Sequence, residues 1–343
     1  MNKIFLLAPL TLACAAAHAQ SGLHISGTVD AAVQHVRGSG DSRTGLASGG
    51  NATSKLIIRG TEDLGDGLQA GFWLESGFYA DDGTFAPINV KNQPHVTGSA
   101  GGGLSFDRKA IVTLKNAWGT LQGGRDWSPT YETFTGKFDP FGVSIGIGLN
   151  YAGSNNPNGI RVSNSIAYVS PLLANSLSFK LQHWFGEGSG DKYGSGDGVR
   201  LNYAKGPMMV EASFASTNLQ GGSAVYRNMG ANYNFGTTTV SFNFNHDQQA
   251  LIKTEGWLLG LRQQIGTNEI RASYSATEND GVNKPKGSKI AVGYVHNLSK
   301  RTALYGTAAY LKNRNGGSFT AVNFKTLPNR SMTGLEVGLR HNF

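Results

Sequence analysis

The chain has 343 residues, of which 48 are Gly, and only 15% carry a charge. Apolar residues make up 39%, low for a soluble core of this size, and this composition argues against a cytosolic enzyme. The formal charge is +8, but the basic residues are dispersed rather than clustered, which argues against a nucleic-acid partner.

The chain opens MNKIFLLAPLTLACAAAHAQ. Lys3 is followed by a short apolar run from Ile4 to Leu12, then by the small residues of Ala17-His18-Ala19. That order predicts a cleaved signal peptide over 1–19 and a mature chain of one domain over 20–343. The apolar run is far shorter than the ~20 residues a transmembrane helix needs. Cys14 leaves a lipoprotein alternative open, although Thr11 stands where such a motif prefers Leu. Cys14 is the only cysteine, so the mature chain forms no disulfide and draws its rigidity from elsewhere. Without Lys3 it keeps 29 basic and 22 acidic residues, a net +7.

Beyond the leader, alternation with a period of two recurs. In NSLSFKLQHWF, Leu177, Phe179 and Leu181 oppose Ser178, Lys180 and Gln182. In TTTVSFNFNH, Val240, Phe242 and Phe244 oppose Ser241, Asn243 and Asn245. In EGWLLGLRQQ, Trp257, Leu259 and Leu261 oppose Gly256, Gly260 and Arg262. In the last segment, Leu335, Val337, Leu339 and Phe343 oppose Glu336, Gly338, Arg340 and Asn342. One such strand would fit half of a soluble sandwich. Many of them fit a transmembrane barrel, apolar outward and polar inward.

The connections alternate in length. Short turns are expected at 63–67, 116–119, 171–176, 204–207, 234–238, 265–268 and 297–301. Long polar connections are expected near 38–53, 80–103, 128–161, 186–197, 218–224, 248–253, 279–287 and 313–329. Seven short and eight long connections join sixteen strands. The predicted fold is therefore an all-β, antiparallel, sixteen-stranded transmembrane barrel with short periplasmic turns and long external loops.

At residues 54–79 the string SKLIIRGTEDLGDGLQAGFWLESGF resembles the second and third strands of the general porins of β-proteobacteria. Arg59-Gly60-Thr61-Glu62-Asp63-Leu64-Gly65 is its most specific part. The similarity continues at 24–33, 108–129 and 292–306 and ends at the terminal GLRHNF. Within that family the anion-selective porins of comamonads look most similar. The resemblance implies a homotrimer in the Gram-negative outer membrane, among its lipid and lipopolysaccharide, and a third external loop folded into the lumen. It also implies a basic wall cluster facing that loop, carried here by Lys55, Arg108 and Arg161, with Glu132 and Asp139 on the loop itself. Lys55 departs from the Arg more usual in the family, keeping the charge but losing the planar fork. Terminal Phe343 matches the aromatic through which the family's last strand is recognised by the barrel assembly machinery.

Alternation places further basic residues inward: Arg59, Lys180, Arg200, Arg262, Arg271, Lys289 and Arg340. Inward acids include Glu75, Glu211, Glu269 and Glu336. Trp118, Tyr203, Tyr233 and Tyr305 stand near strand ends as candidates for the interfacial belt. The expected function is passive diffusion of small hydrophilic solutes and ions with an anion preference, set by loop-defined width and charged walls. A channel with a site for phosphate or organic acids is the sharper alternative. A barrel serving as adhesin or outer-membrane enzyme is the alternative from another class. The histidines lack metal-ligand spacing and no nucleophile elbow occurs, so no catalytic residue, metal or cofactor is expected.

Overall fold

A computed structural model describes residues 22–92, 103–134, 137–142, 144–148, 160–186, 192–249, 251–322, 324 and 326–343. The expected signal peptide and Cys14 lie outside the described residues. Seventeen strand segments follow in chain order. They are β1 (Gly22–Gly38), β2 (Asp41–Ser48), β3 (Lys55–Gly65), β4 (Leu68–Gly77), β5 (Lys109–Asn116) and β6 (Gly119–Trp127). A short helix α1 (Pro129–Phe134) precedes β7 (Arg161–Val169), β8 (Leu177–Trp184), β9 (Gly196–Lys205), β10 (Met208–Leu219) and β11 (Gly222–Asn234). The rest are β12 (Thr238–Gln249), β13 (Ile252–Ile265), β14 (Asn268–Asn279), β15 (Lys286–Asn297), β16 (Thr302–Arg314) and β17 (Ser331–Asn342).

Apart from β2 and β3, which do not pair with each other, consecutive segments pair antiparallel along the barrel, and β17 returns to pair with β1. β1 pairs over Ala31–Gly38 with β2 and over Gly22–Thr28 with β3. Hence β2 and β3 are two pieces of one stave, and the barrel closes with sixteen staves and no free edge. The break at 49–54 wraps Asp30, whose carboxylate accepts N–H groups from Gly50, Asn51 and Ala52 at 3.1, 3.1 and 2.8 Å.

The pattern is inside-out relative to a soluble protein. Leu335 and Val337 are 54% and 60% exposed on the outer face, while Glu211 and Glu336 are fully buried on the inner one. No described helix is long and apolar enough to cross a membrane. The strands satisfy each other's backbone groups, as a spanning element in lipid must.

All seven short turns fall where the sequence places them. Three of the expected long connections are shorter. Residues 38–53 contain β2, joined to β1 by Ser39-Gly40, both at positive φ as a two-residue type I′ turn requires. Only two residues separate β10 from β11, and two separate β12 from β13. Their polar flanks read as loops, yet strand ends that project beyond lipid meet water on both faces and pair equally well. The expected belt residue Tyr305 is another correction. It is buried and donates its hydroxyl to Asp30 at 2.5 Å, because alternation in β16 sends Leu304 outward instead. Trp118 and Tyr233 are exposed on the outer face.

Candidate functional site

The connection from β6 to β7 folds into the barrel. Its entry is set locally: Pro129 occupies the first helical position of α1, and the Ser128 hydroxyl accepts the Tyr131 N–H at 3.3 Å. The segment then follows the inner wall along the arc of β8 to β17.

Inward glycines on successive descending strands receive its bulky residues. Pro129 sits on Gly198 of β9, Phe138 on Gly230 of β11, Pro140 on Gly260 of β13, Phe141 on Gly293 of β15 and Ile147 on Gly334 of β17. A Cβ at Gly260 would come within 2.6 Å of Pro140, and one at Gly293 within 2.8 Å of Phe141. No residue larger than glycine leaves room for that approach. Wall donors satisfy the loop backbone, which no longer has bulk water around it. Asn228 donates to Thr130 O at 2.7 Å, Ser241 to Phe138 O at 2.6 Å, and Arg262 to Pro140 O and Asp139 O at 3.0 and 3.1 Å.

Charge completes the attachment. Asp126 of β6 holds Lys109 at 2.5 Å and Lys180 at 3.0 Å. Lys180 also meets Glu132 of the loop at 2.6 Å, and Glu132 meets Arg200 at 2.9 Å. Arg200 meets Glu211 at 2.6 Å, and Glu211 holds Lys137 of the loop at 2.5 Å. Four cations and three carboxylates thus alternate along one seam. Glu132 is therefore turned to the wall behind the loop. Asp139 is buried as well, with its carboxylate accepting the Phe141 N–H at 2.9 Å. Lys180, Arg200 and Arg262 serve the same attachment.

The described loop meets β3 to β7 at its entry, where the Tyr131 ring packs edge-on against Trp127 of β6, and then lies along β8 to β17. Along the β3 to β7 wall Lys55, Arg108 and Arg161 do come together, around Glu75. Arg108 Nε lies 2.6 Å from Glu75 Oε1 and Lys55 Nζ 3.8 Å from it. Arg161 is close enough to act electrostatically on both cations and on Glu75, and its Nε is buried with no hydrogen-bond partner among the described residues. Arg59 stacks over Trp73 at 5.4 Å. Arg271 pairs with Glu269, and Arg340 donates to Asn51 Oδ1 at 2.8 Å. The terminal Phe343 closes the barrel: its N–H and C=O both bond Gly27 at 3.1 Å, and its ring lies over that glycine.

Arg125 escaped sequence reasoning. It donates to Asn89 O at 2.7 Å and Ser163 Oγ at 2.6 Å, pinning the β4–β5 connection beside the basic cluster. A bulge between Gly124 and Asp126 breaks the alternation there, so parity could not place it. The β16–β17 connection also turns inward, where Ala321 and Phe324 pack with Ile147, Val36, Leu311 and Met332. Its aromatics in a polar loop were the only signal.

The sequence profile of the family described as Gram-negative porin matches residues 6–316. Outer membrane porin protein 32 of Delftia acidovorans is 34% identical over the whole of both chains. The solved structure described as an anion-selective porin from Comamonas acidovorans superposes with a TM-score of 0.80 at 33% identity, covering 94% of this chain and all of that one. OmpT of Vibrio cholerae shares the fold, with a TM-score of 0.71 at 12% identity over 94% of this chain and 99% of its own.

Proposed function

We propose that this chain, which belongs to the Gram-negative porin family and is a channel of the outer membrane, passes small anions in preference to cations. The supporting observation is the composition of the wall left open by the inserted loop. Four cations, Lys55, Arg108, Arg125 and Arg161, gather there against two carboxylates, Glu75 and Asp107. The loop acid Glu132 is spent on the adjoining strands β8 and β9, where it binds Lys180 and Arg200. The passage along the open wall is positive on balance.

A water-filled lumen removes most of the solvation cost that bars an ion from hydrocarbon. The inserted loop narrows the path, and low-dielectric walls focus the field of the surplus cations across it. The solved relative described as anion-selective supports this reading. The reading extends to a homotrimer, and to Phe343 as the aromatic through which the last strand is recognised during assembly. Chemical cross-linking of folded protein tests the first, and the yield of folded F343A tests the second.

The test of selectivity is the zero-current potential of purified protein in a planar bilayer under a KCl gradient. Stepwise conductance with an anion-preferring potential supports the proposal. A cation-preferring potential refutes it.

A further inference from the structure

On the external side of Phe138, the inner face of β11 and β12 carries polar side chains that the loop attachment leaves short of partners. Tyr226 stands opposite Asp247, Asn228 opposite Asn245, and Gly230, the seat of Phe138, opposite Asn243. On β12 these residues point inward, since Phe242, Phe244 and His246 take the alternate positions. Asn245 is 0%, Asn243 2% and Asp247 7% exposed. Asp247 Oδ1, Asn245 Oδ1, Asn228 Oδ1, both amide atoms of Asn243 and the Tyr226 hydroxyl have no hydrogen-bond partner among the described residues.

Asp247 differs from other buried carboxylates of the inner face. Asp126 is met by two lysines, Glu211 by Arg200 and Lys137, and Asp30 by three backbone N–H groups. Asp247 receives only Asn245 Nδ2, at 3.4 Å from its Oδ2. A carboxylate removed from water is costly unless an opposite charge or several donors meet it. The amides beside it are already oriented by what they donate. Asn228 gives its Nδ2 to Thr130 O at 2.7 Å, and Asn245 gives its Nδ2 to Asp247. Each keeps its Oδ1 as an acceptor without a donor. One carboxylate oxygen and two amide oxygens, all buried and all unmet, are the donor set of a hard cation.

We infer that Asp247, Asn245 and Asn228 bind a calcium ion at the inner face of β11 and β12. Calcium accepts about six to eight oxygens in a flexible shell that mixes carboxylate, amide and water. Magnesium demands near-octahedral geometry and gives up its water reluctantly, and zinc prefers nitrogen and sulfur. Water completes the shell. The ion neutralises Asp247, and through Asn228, which also holds Thr130 O, it braces α1 at the entry of the loop. A single carboxylate makes the site weak, with a Kd of about 0.1–1 mM. The ligand atoms are buried, so the site stands apart from the reading of the open wall.

The test uses refolded, full-length protein free of lipopolysaccharide and stripped of metal by a chelator. The probe is Tb3+, which takes the same oxygen ligands as calcium and luminesces when an excited tyrosine such as Tyr226 lies beside it. Wild type is expected to give a saturable signal that Ca2+ displaces, while Mg2+ at the same concentration and K+ at the same ionic strength leave it in place. D247N is expected to weaken binding at least about tenfold. N245D, which adds a second carboxylate, is expected to tighten it by a similar factor. D197N, altered at an exposed carboxylate of the rim, is expected to bind as wild type does. Heat-modifiable migration of each variant confirms that the barrel has folded, and N245D decides the matter if D247N does not fold. The inference fails if wild type gives no saturable signal, which would leave these oxygens to water alone. It fails equally if D247N binds as wild type does, if N245D does not tighten binding, or if Mg2+ or K+ displaces the probe as well as Ca2+.

Discussion

Glu75 is the residue on which the balance of the open wall turns, because it alone meets both Lys55 and Arg108. A unit charge about 5 Å from an ion path through water is worth about 0.8 kcal/mol, roughly a fourfold change in local ion concentration at low salt. Anion and cation concentrations move in opposite directions, so replacing Glu75 by Gln is expected to raise the anion-to-cation permeability ratio by up to about sixteenfold. R108Q and R161Q are each expected to lower it by a similar factor, read from reversal potentials in dilute KCl. Arg161 is the more informative of the two, since its Nε has no hydrogen-bond partner among the described residues, whereas Arg108 is paired with Glu75. Asp126 has a different part. It bridges Lys109 and Lys180 in a buried position, and D126N leaves both without that carboxylate. Removing one partner of a buried ion pair costs about 3 kcal/mol when water does not reach it. D126N is expected to unfold at lower temperature by heat-modifiability, with the loop loosened before the barrel opens.

The inserted loop is held by shape as much as by charge. G230V would place side-chain atoms where the ring of Phe138 lies. Overpacking of this kind costs about 1–3 kcal/mol, and detachment of the loop is the cheapest relief. G230V is expected to give larger and noisier single-channel steps than wild type. G123A is the matched control, because a Cβ there meets only Val112 at an ordinary 3.8 Å. Equal noise in the two variants would contradict this account of the attachment. The sequence made strands such as β13 legible, since their central positions alternate between an exposed, apolar face and a buried one. It made the turns of the short end legible through Gly, Pro and Asn. What it could not convey was the work of the inward glycines. Gly198, Gly230, Gly260, Gly293 and Gly334 are dispersed along the chain, and only the closed barrel sets them in one arc under the loop. For the same reason Glu132 read as an acid facing the passage: alternation cannot tell which side of a loop lies against the wall. The bulge at Gly124 and the positive φ of Asn164 reset parity around Arg125 and Arg161, where long-range contacts rather than pattern decide direction.

At the scale of the whole molecule, a closed barrel divides its charges between two walls. Behind the loop, cations and carboxylates alternate and largely cancel. On the open wall they do not. Selectivity that rests on such a surplus must weaken as salt shortens the Debye length, from about 10 Å at 0.1 M to about 3 Å at 1 M. The permeability ratio is accordingly expected to fall towards that of the ions in free solution as KCl is raised, while conductance continues to rise. A ratio independent of salt would point to a binding site that strips ions of water rather than to a field.

The most direct test combines the wall residues in one protein. The zero-current potential of K55Q/R108Q/R161Q is compared with that of wild type under the same dilute KCl gradient. If the open wall sets selectivity, the variant loses most of the anion preference or reverses it, with its conductance steps still present. If the variant keeps the wild-type potential, the preference arises elsewhere in the lumen and the assignment of these three residues is wrong.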